Sequence, residues 1–518
     1  MSKLLSSYEL SLKKEIPFKK ENRQSYYNSG TNIDEYGLEY SGKSFVEGSD
    51  EEEIGFDNYK FSTDWTHPDG ELDYEEYSDA FIEKRQTQDM TGLKTAPNHI
   101  KKKIKEAEHI DLNDEDYSES DLEDLEDLEK KKKENKMEEI DIENIKTVHW
   151  YGNFTSYGGF SRMNRIFAFG LNNRGVVVKA DMEECPIEIN EHTISELRYM
   201  SKNQIPSTAP KVFGATIPLR MNHSGYKILY TMIENSEGLH IDYVDKLNMF
   251  SEIWVPTEFG KNLMIKNGVK SPIKIMPLGV DTDRYKEKKV EKDPGLNSFV
   301  FLSVFKWHYR KGYDLLLKAY MREFDSQDDV SLLLISRPNY ENSNIIYKDF
   351  EKIRETINKK DEDLPHIKLI DDCVSEKDLP DIYNSANAYF TMTRGEGFCL
   401  PILEAASCGL PVISTFNTAM TDYLRDDDSF LIYPEDMIKA EVTGNMKEMA
   451  KMCRFYEDQY FPVYDSKSIK LAQNHLRHVY ENEQEAKNKS KKLTEKIRKN
   501  YSWEKAVDNV YNGLMEIK

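Results

Sequence analysis

"IKTVHWYGNFTSYGGFSRMNRIFAFGLNNRGVVVKAD", residues 145 to 181, reads as a single folding unit. "IKTVHWYGNF" is a strand-like run of β-branched and aromatic residues, "SYGGFSR" a glycine turn, "MNRIFAFGLNNRG" a helix stopped at glycine, and "VVVKAD" a second strand. The alternation continues with the strand-like runs "KVFGAT", "YKILYTMI", "SEIWVPT" and "IKIMPLG", separated by helical stretches such as "HIDYVDKLNMF" and "EFGKNLMIKNG". Strands alternating with helices predict a parallel sheet covered on both faces.

A charged, turn-rich connector, "PLGVDTDRYKEKKVEKDPGLNS" (277–298), separates this series from a second. There "FVFLSVF", "VSLLLIS", "HIKLI", "AYFTMT" and "PVIST" are strand-like, and "GYDLLLKAYMREF", "IIYKDFEKIRETINK", "EKDLPDIYNSA" and "PILEAASC" helical. The expectation is an α/β protein of two doubly wound, Rossmann-like domains, 145–285 and 286–435, facing a cleft. A helical tail, 436–518, follows, and its last helix "SWEKAVDNVYNGLMEI" is expected to pack back toward the first domain.

Residues 1–144 have a different texture. Eleven acidic residues and no basic one lie between Asp111 and Glu129, followed at once by "KKKKENK" at 130–136. Such a stretch repels itself, and 1–144 is expected to be a largely disordered acidic extension. The net charge of −22 argues against nucleic acid as a partner. Five widely spaced cysteines with no CxxC pair argue against a disulfide framework or structural zinc and favour a reducing, cytoplasmic setting. The start "MSKLLSSYELSLKKEIPFKK" lacks a signal-peptide core, and no apolar run approaches the roughly 20 residues of a membrane span, so only peripheral membrane contact stays open.

In open α/β sheets, ligands sit where strands hand over to helices. Two such loops in the second domain carry chemistry. "FKWHYRKGYD" places Lys306 at a strand end and Arg310, Lys311 and Gly312 before a helix, an arrangement suited to a diphosphate. "RGEGFCLPILEAASCGLPVIST" (394–415) sets Glu396 between two glycines and Glu404 in the next helix's first turn, with Pro401 in that turn and Gly409 stopping it. The amides of Phe398, Cys399 and Leu400 would point at an anion. Two carboxylates repel a phosphate but accept well from a vicinal diol, so phosphates and sugar hydroxyls together describe a nucleotide sugar.

"EGFCLPILEAASCGLPVIS" resembles the E-x7-E signature of retaining GT-B glycosyltransferases of the GT4 type, glycosyl transferases group 1. "SVFKWHYRKGYDLLLKAY", "IWVPTEFGK", "IMPLGVDTDRY" and "YSWEKAV" support the likeness, which spans roughly residues 145 to 518. The resemblance implies an acceptor domain followed by a donor domain. It implies that Glu404 takes the donor ribose and Glu396 the transferred sugar, while Lys306 and Lys311 neutralise the leaving diphosphate. Gly158 and Gly159 match the family's first glycine loop, which approaches the diphosphate from the other domain. Lys306 stands where the family has arginine, and Cys399 where it has glycine.

The expected activity is therefore transfer of a hexose from a UDP-, GDP- or ADP-sugar to a glycan, lipid or protein acceptor, with retention. No cofactor is expected, and no metal: the sequence has no DxD-type motif in these loops, and "DDD" at 426–428 reads as a solvated charge run. Glu234, His149 and His240 are the first domain's candidates for the acceptor side. A scaffold that recruits partners through its acidic arm, or a sugar phosphorylase or epimerase, are the alternatives.

Overall fold

The computed structural model describes residues 146–183, 188–216, 224–338, 344–372, 374–440 and 458–517, with three two-residue strands nearer the start. The acidic stretch 111–129 and the lysine run 130–136 lie outside the described residues. The chain falls into two compact units. Of one, Lys20–Glu134 with Glu184–Pro186, the described part is an antiparallel pair of Asn32–Ile33 with Glu39–Tyr40. The other, Met1–Lys19, Asn135–Glu183 and Ile187–Lys518, holds both α/β domains.

The first domain's sheet comprises β1 (Thr147–Gly152), β2 (Val177–Met182), β3 (Lys211–Gly214), β4 (Lys227–Tyr230), β5 (Glu252–Val255) and β6 (Ile273–Ile275). The strands are all parallel in the order β2-β1-β3-β4-β5-β6. The second sheet comprises β7 (Phe299–Trp307), β8 (Val330–Pro338), β9 (His366–Ile370), β10 (Ala388–Thr391), β11 (Val412–Thr415) and β12 (Phe430–Ile432). Its order is β9-β8-β7-β10-β11-β12, again parallel, with Glu9–Leu10 added antiparallel outside β9. Val300, Phe301 and Leu302 are successive residues of β7 and all fully buried, as a strand covered on both faces requires.

Each sheet's order reverses beside its first strand, and the loops leaving the two strands at that point diverge to leave a crevice. In the second domain those strands are β7 and β10. The loops that follow them are the two singled out by the sequence.

Helix ends explain why the chain turns where it does. The helices Gly159–Asn173, Glu258–Lys266 and Leu400–Ser407 are followed two residues on by Gly175, Gly268 and Gly409, all at positive φ (86°, 93° and 84°). In each, the next residue's N–H returns to a carbonyl of the last turn, as in Leu410 to Ala405 at 3.0 Å, so the last carbonyls are satisfied at the stop.

Beyond β12 come an antiparallel strand pair, Asp436–Lys439 with Tyr460–Val463, and the helices Ser466–Glu481, Glu483–Asn500 and Trp503–Met515. The first two cover the second domain; the third crosses to the helix Gly159–Asn173 of the first. Its fit there is close: Trp503 meets Phe167 edge to face at 6.1 Å, and a Cβ on Gly170 would lie 2.6 Å from the Val507 side chain. The "DDD" run is tied to this tail, with Asp427 paired to Lys492 and Asp428 to Lys496. Among the described residues no helix is long and apolar enough to cross a membrane.

Candidate active site

The loop after β7 is built around His308. Its Nδ1 accepts from the Arg310 N–H at 3.2 Å and caps a single 3-10 turn, Tyr309–Lys311, that ends at Gly312 with φ 68°. Gly312 is required twice over, since its backbone is left-handed and a Cβ there would sit 1.8 Å from the Met392 carbonyl oxygen. Burial, then Arg310 and Lys311, push the His308 pKa down to about 4, which keeps it neutral and able to accept.

This turn aims two cations at the loop after β10. The Lys311 ammonium donates to both Glu396 oxygens, at 2.8 and 2.7 Å. The Arg310 guanidinium donates to the Gly395 carbonyl at 2.5 Å, lies 3.5 Å from Glu396 and pairs at 3.0 Å with Glu234 of the first domain. Glu234, Arg310, Glu396 and Lys311 therefore form a chain of alternating charge across the cleft. Burial alone would raise the Glu396 carboxyl, but Lys311 and Arg310 outweigh it and hold it below its ordinary value. The side chains that the sequence assigns to separate parts of a ligand, Lys311 and Glu396, are bonded to each other here.

Arg394 fixes the two loops together. It forms a two-pronged pair with Asp314 at 2.7 and 2.8 Å, donates to the Tyr309 carbonyl and stacks on the Tyr309 ring at 3.8 Å. The glycines on either side of Glu396 have a reason other than anion binding. A Cβ on Gly395 would lie 1.9 Å from the Glu234 carbonyl oxygen, and one on Gly397 2.6 Å from the Met232 side chain, so both admit the first domain.

Phe398, Cys399 and Leu400 lead into the helix Leu400–Ser407, with Cys399 in left-handed backbone at φ 64° and Pro401 in the opening turn. The helix starts one residue earlier than the sequence suggests, so Glu404 is in its second turn, not its first. Glu404 is buried. Its Oε2 accepts from the Tyr383 hydroxyl at 2.8 Å and its Oε1 from Arg162 of the first domain at 2.5 Å. Burial and the Glu404 charge raise the Tyr383 phenol far above its ordinary value, so it stays a donor. Burial opposes the Arg162 charge, yet Glu404 more than offsets this and raises its pKa.

Gly158 and Gly159 are the cap and first residue of the first domain's helix Gly159–Asn173. A methyl at Gly159 would meet nothing within 4 Å, so open space lies beside that helix start. The helix begins within the segment read as a turn, which puts Arg162 in its first turn. Arg162 and Tyr383 escaped the sequence reading. Arg162 carries the same signal as Arg310 and Lys311, a cation beside a glycine at a helix start. Lys306, the next-to-last residue of β7, stands opposite Arg337 of β8; against burial, the Tyr157 N–H and Arg337, with Lys306 adding to them, hold the Glu188 carboxyl below its ordinary value.

Two expected acceptor residues have their printed partners outside the charged chain. His149 lies within β1, stacked on Tyr151 at 3.9 Å, bonded to its hydroxyl at 2.8 Å and 3.3 Å from Asp181, partners that belong to the sheet and not to the charged chain. His240 is buried as the cap of the helix Ile241–Leu247, its Nδ1 accepting from the Asp242 N–H at 3.1 Å. Glu234 is brought into the site, through Arg310.

Two parallel-sheet α/β domains, joined at the carboxyl ends of their strands and clasped by a returning C-terminal helix, define the GT-B fold. The same architecture is found in sucrose-phosphate synthase of Thermosynechococcus elongatus, with 13% identity, a TM-score of 0.51, and coverage of 72% of this chain and all of that one. Residues 297–450 match the family model for glycosyl transferases group 1, so the chain carries a glycosyl transferases group 1 domain on a GT-B scaffold. It is 25% identical over 228 residues to a phosphatidylinositol N-acetylglucosaminyltransferase subunit from Arabidopsis thaliana, which is 42% of this chain and 48% of that protein. It is 42% identical over 53 residues to O-antigen chain mannosyltransferase B of Escherichia coli, 10% of this chain and 14% of that protein. The chain thus spans about half the length of the first relative and a short segment of the second.

Proposed function

We propose that the protein is a GT4-like glycosyltransferase that moves a hexose from a nucleoside diphosphate sugar to a hydroxyl acceptor, with retention and without a metal. The observation that carries this reading is the convergence of Arg310, Lys311 and Glu396 at the point where the second sheet reverses, with Glu404 on the following helix. Cleavage of the sugar–oxygen bond leaves negative charge on the diphosphate and positive character on the sugar ring. Cations fixed beside the leaving group stabilise the first without reorganising. Lys311 and Arg310 are held in place by carboxylates, and an entering diphosphate competes for those same cations. Glu396 and Glu404 then accept from the hydroxyls of the sugar and the ribose. With both oxygens of Glu396 on Lys311, this carboxylate suits binding better than nucleophilic attack. The two named relatives are described as N-acetylglucosaminyl- and mannosyltransferases, which supports the reaction class.

The experiment is a product assay with UDP-, GDP- and ADP-sugars and simple glycan or lipid acceptors, after a thermal-shift screen to find the nucleotide that stabilises the protein. Lys311→Ala and Glu404→Ala are expected to abolish transfer while leaving both proteins folded. Full activity in both variants refutes the site. Activity is expected to survive excess EDTA, and its loss refutes metal independence.

A further inference from the structure

Arg310 lies 3.0 Å from Glu234 of the first domain and 3.5 Å from Glu396 of the second, so the two carboxylates share one cation across the cleft. A long side chain does not by itself fix how far apart their two loops stand. The strand Tyr460–Val463, which comes after the second sheet in the chain, is fastened to both loops.

At one end, Tyr460 gives both its backbone groups to the loop after β4. Its N–H donates to the Glu237 carbonyl at 2.9 Å, and its carbonyl accepts from the Ser236 N–H at 2.9 Å. That loop is closed on itself by the buried Asn235, whose Nδ2 donates to the carbonyls of Glu237 and Gly238 at 2.6 and 2.8 Å. The approach is close, since Gly238 is at φ 75° and a Cβ there would lie 1.8 Å from the Asp458 carbonyl oxygen. At the other end, Tyr464 is buried in the second domain's core, and its hydroxyl accepts from Asn417 Nδ2 at 2.5 Å. The same Nδ2 donates to the Thr393 carbonyl at 2.9 Å, and Asn417 Oδ1 accepts from the Thr418 hydroxyl at 2.9 Å. Thr418 Oγ in turn accepts from the Glu396 N–H at 2.9 Å. Tyr460 and Tyr464 are four residues apart along this extended run, roughly 13 Å. The partner strand Asp436–Lys439 pairs with it along its length and stiffens it.

We propose that the strand Tyr460–Val463 is a spacer that positions Glu234 against Glu396, with Tyr460 and Tyr464 as its two fixing points. The inference rests on the reading of Glu234 as an acceptor-side carboxylate and of Glu396 as the carboxylate of the transferred sugar. Both tyrosines are positioning residues and touch no substrate. The acceptor hydroxyl and the sugar's reacting carbon then meet at a separation set by the strand. Releasing either end loosens the same distance.

The test uses the full chain, the nucleotide sugar and simple acceptor that give product with wild type, and the matching nucleoside diphosphate for thermal shift. Tyr460→Pro removes the N–H given to Glu237, and Tyr464→Phe removes only a hydroxyl. Each is expected to lose about tenfold in kcat/KM for the acceptor, with the thermal shift by nucleotide unchanged. Residues ~13 Å apart without a shared partner ordinarily act additively. Here the double variant is expected to lose about tenfold rather than about a hundredfold, because one spacing is lost once. In a Glu234→Gln background, Tyr460→Pro is expected to cause no further loss. Gly238→Ala drives the same loop off the strand and serves if the proline variant does not fold. Multiplied losses in the double variant, or unchanged activity in either single one, overturn the spacer. So does a parallel loss of the nucleotide response, which makes the strand a brace of the whole fold. Full activity in Glu234→Gln means that the acceptor reading itself has failed, and the spacer falls with it. Impaired Glu234→Gln beside an intact Tyr460→Pro sinks the spacer alone. If no nucleotide sugar gives product with wild type, the proposed function has failed and takes the spacer with it.

Discussion

Cys399 enters the helix Leu400–Ser407 through left-handed backbone, φ 64° and ψ 64°, where the family pattern has glycine. A side chain there costs about 1 to 2 kcal/mol, and the buried thiol recovers part of it by packing. Burial and Glu396 also push the thiol far above its ordinary pKa, so it is a poor nucleophile and a poor site of oxidation. Cys399→Gly is therefore expected to fold with stability within about 1 kcal/mol of wild type, whereas the β-branched Cys399→Val loses about 2 kcal/mol or more, both read by urea denaturation. His308 gives a pH signature. Its folded pKa of about 4 lies below the ordinary 6.5, so the unfolded chain binds the proton more readily. Stability from this residue is complete above pH 6.5 and declines as the pH falls from 6.5 toward 4. Melting curves across that window are expected to flatten in His308→Asn, which can still accept the Arg310 N–H. Glu396 acts at lower pH: its carboxyl is depressed, so its contribution is complete above 4.5 and is lost only as the pH falls through the depressed value.

Among elements, the two loops after β7 and β10 carry the site because the sheet order reverses between those strands. Gly395 sets how closely the second of these loops meets the first domain. With a Cβ only 1.9 Å from the Glu234 carbonyl, Gly395→Ala forces the loops apart. The variant is expected to keep its circular dichroism spectrum and lose about a hundredfold in kcat/KM, the scale of a ~1 Å misplacement. Strands, helices and the charged loops were legible in the sequence because each is a local pattern: apolar runs, glycine stops, cations beside a helix start. The ion pairs were not, because Arg162 with Glu404 and Glu234 with Arg310 join residues far apart in the chain. His149 and His240 show the converse. Each looks placed for a cleft by sequence, and each has local partners, one in a ring stack on the sheet and one as a helix cap. Glu404 misled by a single residue, since the left-handed Cys399 lets the helix begin at Leu400.

At the scale of the whole molecule, the helix Trp503–Met515 belongs by packing to the domain from which it is most distant in sequence. It covers Phe167, Gly170 and, through Gly513, Met276 and Trp254. Trp503→Ala is expected to destabilise by about 3–5 kcal/mol. Hydrogen exchange should place the loss in the first domain's helix Gly159–Asn173, not in β7 or β8; equal loss in both sheets contradicts this assignment. The same crossing reverses the order of completion during synthesis. A ribosome delivers β1 and the helix Gly159–Asn173 early, yet the face that takes Trp503 and Val507 stays bare until everything from Arg174 to Ser502 has been made. At translation rates of roughly 5–20 residues per second this is an interval of many seconds. The second domain can close around its own sheet in that time, and the domain made first is the one finished last.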